Sequence, residues 1–153
     1  MGEGRLRTLA AICDTFVPGD GAALPPASAL GVPELIRSEL AALGRPSLVA
    51  EMDLLLRLVE NPLANLALVG RPVRFSRLGQ ERREAYMKTL GASPLPLKRL
   101  AFQDLKRLAL LYSFSSEGSP YPAAAGYQEP ALDPPSPSAL RARTPKPGET
   151  IDA

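Results

Sequence analysis

Apolar residues recur every three or four positions through five stretches of this chain, the spacing of helices with one buried side. Between Arg5 and Val17 they fall at Leu6, Leu9, Ala10, Cys13, Phe16 and Val17, and Pro18, Gly19 and Gly21 end the helix. A loop of 14 residues, "DGAALPPASALGVP", follows, either an irregular wrap or a mobile segment. Pro33 and Glu34 suit the first turn of a second helix that buries Leu35, Ile36, Leu40 and Leu43 and stops at Gly44. Ser47 is read as the cap of a third helix with the stripe Leu48, Met52, Leu55, Leu56 and Val59, the two forming a helical hairpin. Asn61-Pro62 breaks this pattern, and "LANLALVG" adds at most a short helical turn. A polar helix runs from about Gln80 to Leu90.

The longest periodic segment is 97–114. Leu97, Ala101, Leu105, Leu108 and Tyr112 share one face, and Leu100, Phe102, Leu110, Leu111 and Phe114 widen it. A helix apolar nearly all round is expected to be central to the fold or docked on something larger. After Ser115 prolines dominate, among them Pro120, Pro122, Pro130, Pro134, Pro135, Pro137, Pro145 and Pro147. That segment is expected to be extended, without a core of its own. The reading is a mainly α fold: a small irregular bundle of about five helices over 1–115, then a Pro-rich C-terminal strap over 116–153.

Composition supports helices. Leu and Ala carry most of an apolar share of 45%, with four Phe, four Tyr and no Trp. The chain has no His, which removes the commonest acid/base group and metal ligand near neutrality. Its one cysteine, Cys13, has no internal partner and no histidine base, so it reads as a small core residue. "GDG" at 19–21 lacks the phosphate-loop pattern, and no G-x-G-x-x-G occurs. No apolar run approaches the roughly 18 residues of a membrane span and no secretory signal is seen, so the expected location is the cytoplasm, with membrane contact limited to a peripheral one.

Charge is uneven. Residues 71–107 hold ten Arg and Lys against three acids, a local +7, whereas residues 1–60 hold five Arg against eight acids. Such a region steers anionic partners. No aromatic residues interleave as a base-stacking platform requires, so nucleic acid is not expected. A stand-alone module that binds anionic lipid or nucleic acid through 71–107 is the alternative reading.

The segments "ICDTFVPGDG", "FSRLGQERREAYMKTLGASPLPLKRLAFQDLKRLALLYSF" and "SPYPAAAGYQEP" resemble the region preceding the flavin domain in long-chain fatty alcohol oxidases of the glucose–methanol–choline (GMC) oxidoreductase family. The matching positions are Cys13, Asp14, Thr15 and Pro18; Ser76, Glu81, Arg82 and Arg83; Ser93, Pro94, Leu95, Lys98 and Arg99; and Gly126 with Tyr127. A Trp that the family carries before its Gly-Tyr pair is absent. "DTFVPGD" with Leu-rich helices also resembles the small subunit, subunit 3, of gluconate dehydrogenases.

Both resemblances imply a helical accessory subunit, or N-terminal segment, of an FAD-dependent alcohol oxidoreductase, which docks on the flavoprotein and shapes or covers its substrate channel. They imply no catalytic residue, metal or cofactor on this chain, with FAD on the partner or on a missing domain that "ETIDA" would lead into. The expected docking residues are Asp14, Phe16, Arg82, Arg83, Leu97, Lys98, Phe102, Leu105, Leu108, Tyr112, Phe114, Tyr121 and Tyr127.

Overall fold

The computed structural model describes residues 2–127, and within them the chain is helical with no strand. Its α-helices are α1 (Glu3–Phe16), α2 (Val32–Ala42), α3 (Pro46–Glu60), α4 (Pro62–Val69), α5 (Gln80–Gly91), α6 (Pro96–Ser115) and α7 (Tyr121–Ala124). Short 3-10 turns lie at Ala27–Leu30 and Phe75–Arg77. The mainly helical bundle expected from the periodicity is the observed fold, with α4 and the single turn of α7 as additional helices. The part of the expected strap beyond Tyr127 lies outside the described residues.

The centre of the bundle is α1, which packs against α2, α3, α5 and α6. Thr8, Leu9, Ala11, Ile12, Cys13 and Thr15 are all buried, a much wider arc than the expected stripe. Small side chains allow this close cover. The two buried threonines cost little because each hydroxyl donates back along the helix, Thr8 to the Gly4 carbonyl (3.1 Å) and Thr15 to the Ala11 carbonyl (2.6 Å). The remaining core includes Val32 and Ile36 of α2, Leu56 and Val59 of α3, Met87 and Leu90 of α5, and Leu105 and Ala109 of α6. Edge-to-face ring pairs add to it, Phe75 with Tyr86 at 5.1 Å and Phe16 with Phe102 at 5.7 Å between centroids.

Several local expectations are corrected. Leu43 of α2 is exposed, while Leu35 and Leu40 are half-buried, so Ile36 is the only one of the four to be fully covered. Helix α3 starts at Pro46 with Arg45 at the capping position, and Ser47 makes no cap, because a proline at the first turn presets the helical φ one residue earlier. On α6 the inward side is Leu105, Ala109 and Ser113, and Leu97 points to solvent at 77% exposure.

The long loop after α1 is a wrap. The Asp20 carboxylate accepts from the amides of Ala22 and Leu24, and the Asp14 carboxylate accepts from the amide and hydroxyl of Ser28, each at 2.8 Å. Gly19 sits at φ +75°, and a Cβ there would lie 2.4 Å from the Leu24 carbonyl oxygen, so the tight start of the wrap requires glycine.

A buried amide locks the second half. Asn61 caps α4 by accepting from the Leu63 and Ala64 amides. One turn on, the fully buried Asn65 donates to the carbonyls of Val59 and Val73, both at 2.6 Å, and accepts from the Tyr86 hydroxyl at 2.7 Å. The end of α3, the segment after α4 and helix α5 are thereby joined. Glu60 adds a second tie, accepting from the Ser76 amide (3.0 Å) and hydroxyl (2.7 Å).

Candidate docking surface

Helix α6 presents an outer stripe at Leu97, Leu100, Asp104, Arg107, Leu111 and Phe114, successive steps of three and four residues that keep one side of a helix. All six are exposed. Leu97 and Leu100 (77% and 56%) make one apolar end, Leu111 and Phe114 (59% and 41%) the other, with a charged pair between. At the second end the chain turns back. Ser119 donates through its hydroxyl to the Ser113 carbonyl, and Tyr121 of α7 stacks at a tilt on Phe114, 5.6 Å between centroids. The Tyr121 hydroxyl donates to the Pro25 carbonyl at 2.7 Å, fastening α7 to the wrap. Leu111, Phe114, Pro122, Ala125 and Tyr127 then line an open apolar groove of about 640 Å³.

Electrostatics at this end keep the tyrosine protonated and neutral. Partial burial, and then the charges of Asp20 and Asp14, raise the Tyr121 pKa, so it remains a donor. Backbone amides of Leu24 and then Ala22 hold Asp20 below the ordinary carboxylate range.

The expected docking residues divide by environment. Arg82, Leu97, Phe114 and Tyr127 are exposed. Others are committed inside the chain. Leu105 is core, while Leu108, Tyr112 and Phe102 are half-buried against it. Asp14 holds Ser28, Phe16 packs on Phe102, and Tyr121 is bonded to the wrap. Arg83 donates to the Ser76 carbonyl (3.2 Å) and Lys98 to the Leu68 carbonyl (2.9 Å), the latter near the C-terminus of α4 where a cation is favourable. These nine make contacts within their own fold. Exposed Leu63 and Leu66 of α4, at 78% and 52%, were not foreseen; the short helix gave no outward stripe to read.

Cys13 is chemically quiet. Burial first, and then the nearby charges of Asp14 and Glu34, push its thiol up from 9.0 to about 12. The folded protein at pH 8 is expected to leave Cys13 unmodified by Ellman's reagent over an hour, with one thiol reacting promptly in urea. Because the folded pKa lies above the unfolded one, this thiol removes stability as pH rises from 9 towards 12. Rapid reaction in the native state would contradict its burial.

Among the described residues no helix is long and apolar enough to cross a membrane, and no group of three or more His, Cys, Asp or Glu is placed to hold a metal ion. What the surface offers is apolar contact area with scattered charge. Comparison with curated proteins and with solved structures returned no match. Residues 3–130 match a protein family described as gluconate 2-dehydrogenase subunit 3, most of the chain and nearly all of the described fold. The helical bundle with its apolar outer stripe therefore belongs to the gluconate 2-dehydrogenase subunit 3 family, that of an accessory subunit associated with a catalytic dehydrogenase subunit.

Proposed function

We propose that this chain docks through the outer stripe of α6 and the α7 groove onto an FAD-dependent catalytic subunit of the glucose–methanol–choline type, covering or shaping the channel by which an alcohol substrate reaches the flavin. The observation that carries this reading is the exposed apolar set Leu97, Leu100, Leu111, Phe114 and Tyr127 on a chain of an accessory-subunit family. Exposed patches of this kind mark interfaces. Their burial supplies roughly 25 cal/mol per Å² of apolar area, less the cost of association. The resemblance to alcohol oxidases supports the nature of the partner.

The chain's own residues do not fit a flavin: the sequence has no Gly-rich strand–turn–helix to cradle a pyrophosphate. The cofactor is accordingly assigned to the partner, where it would supply hydride acceptance. The role left to this chain is to bind, to position the partner's channel wall and to exclude water.

Co-expression with a catalytic dehydrogenase subunit of the glucose–methanol–choline type tests the reading. A stable complex is expected on size exclusion, with a KM for alcohol that shifts when the accessory chain is omitted. Two separately eluting proteins with unchanged kinetics would overturn it.

A further inference from the structure

A second concavity, of about 470 Å³, lies between the segment after α4 and the outer side of α5. Val69, Val73 and Leu78 provide an apolar lining, with Arg71 and Arg82 beside them. On α5 the lining positions Arg82, Ala85, Tyr86 and Thr89 follow steps of three, one and three, so one helix side faces the groove. Both arginines are exposed. Among the described residues the ion pairs are Arg5 and Arg57 with Asp53, and neither Arg71 nor Arg82 has a partner.

The groove's other polar side chains are engaged. The Tyr86 hydroxyl donates to Asn65, and the Thr89 hydroxyl donates to the Ala85 carbonyl. No carboxylate lines the site. What remains is two donor-only guanidiniums beside an aliphatic surface, within a segment of local charge +7. The complement of that arrangement is an oxygen anion on an apolar stem. Arg takes carboxylates in bidentate geometry, and Arg in partly desolvated positions is a frequent hot spot. Nucleic acid fits less well, because Tyr86 is only 4% exposed and offers no face for a base.

We propose that this groove receives a carboxylate-bearing segment of the catalytic dehydrogenase subunit, its Asp or Glu side chains meeting Arg71 and Arg82 and a neighbouring aliphatic side chain covering Val69, Val73 and Leu78. This rests on the accessory-subunit reading and adds a charged contact to the apolar one on α6 and α7. The attraction speeds encounter at low salt and fixes the register of docking.

The test uses the purified catalytic subunit and the double variants R71E/R82E and R71Q/R82Q, whose thermal unfolding should match the wild type because both side chains are exposed. At low salt the charge-reversed variant is expected to weaken Kd by about 30-fold or more, the glutamine variant by less, and both to flatten the salt dependence of the association rate. An unchanged Kd and salt slope in R71E/R82E, with the α6 face still required for binding, would overturn the groove proposal and leave the docking reading intact. No binding by the wild-type chain would overturn both. Arginine-dependent binding to phosphatidylserine vesicles, with partner affinity untouched, would assign the groove to a lipid headgroup and overturn the proposal.

Discussion

Asn65→Leu is expected to lower the unfolding free energy by about 3–5 kcal/mol, a large part of the margin of roughly 5–15 kcal/mol typical of a domain. The residue is wholly buried, and leucine keeps its branched shape with bulkier methyl ends, so lost hydrogen bonds and some overpacking act together. Three groups would be orphaned: the carbonyls of Val59 and Val73 and the hydroxyl of Tyr86. Each buried, unpaired group costs about 1–3 kcal/mol. The bonds also join α3, the segment after α4 and α5, so the variant should loosen 71–79 before it unfolds globally. Tyr86→Phe removes one of the three bonds and should cost about 1–2 kcal/mol, less than additively with Asn65→Leu because the two share that bond. Urea unfolding followed by circular dichroism measures both. A loss below about 1 kcal/mol for Asn65→Leu would mean that water or rearrangement satisfies these groups.

The amide network also marks where reading from sequence runs out. Helix existence was legible because the three-to-four spacing is local: α1, α2, α3, α5 and α6 all form within a few residues of their expected bounds. Which helix is central was not legible. The leucine-rich α6 reads as either central or docked on something larger, whereas the buried centre is α1, whose Thr8, Ala11 and Thr15 are too small or polar to mark an apolar stripe. Periodicity shows which side of a helix is apolar, not how many neighbours will cover it. Asn65, within "LANLALV", carried no sign of burial, because its partners lie six, eight and 21 positions away. Asp14 is among the docking residues expected from sequence, but its carboxylate serves Ser28, 14 residues on. The exposed Leu97 and Phe114 could be named from sequence, whereas the pairing of Arg71 with Arg82 across a groove depends on how the segment after α4 returns to α5.

The double variant Leu111→Asp/Phe114→Asp is expected to weaken binding of the catalytic subunit by about 100- to 1,000-fold, since two well-packed anchors of this size carry roughly 2 kcal/mol each. Both side chains reach the surface, at 59% and 41% exposure, and they form one end of the α6 stripe and one wall of the α7 groove. Carboxylates there remain hydrated in the free chain, so its stability should change little, apart from the Phe114 contact with the Tyr121 ring. In the complex the same carboxylates would be stripped of water without a cation, which is the larger cost. Leu97→Asp/Leu100→Asp at the other end provides the comparison. A loss confined to the 111/114 pair would place the partner on the α7 groove, whereas equal losses would extend the interface along the whole helix. Surface plasmon resonance with immobilised catalytic subunit reads the change, and thermal unfolding of each variant separates lost contact from lost fold. If both double variants bind as the wild type does, the outer side of α6 is not the interface.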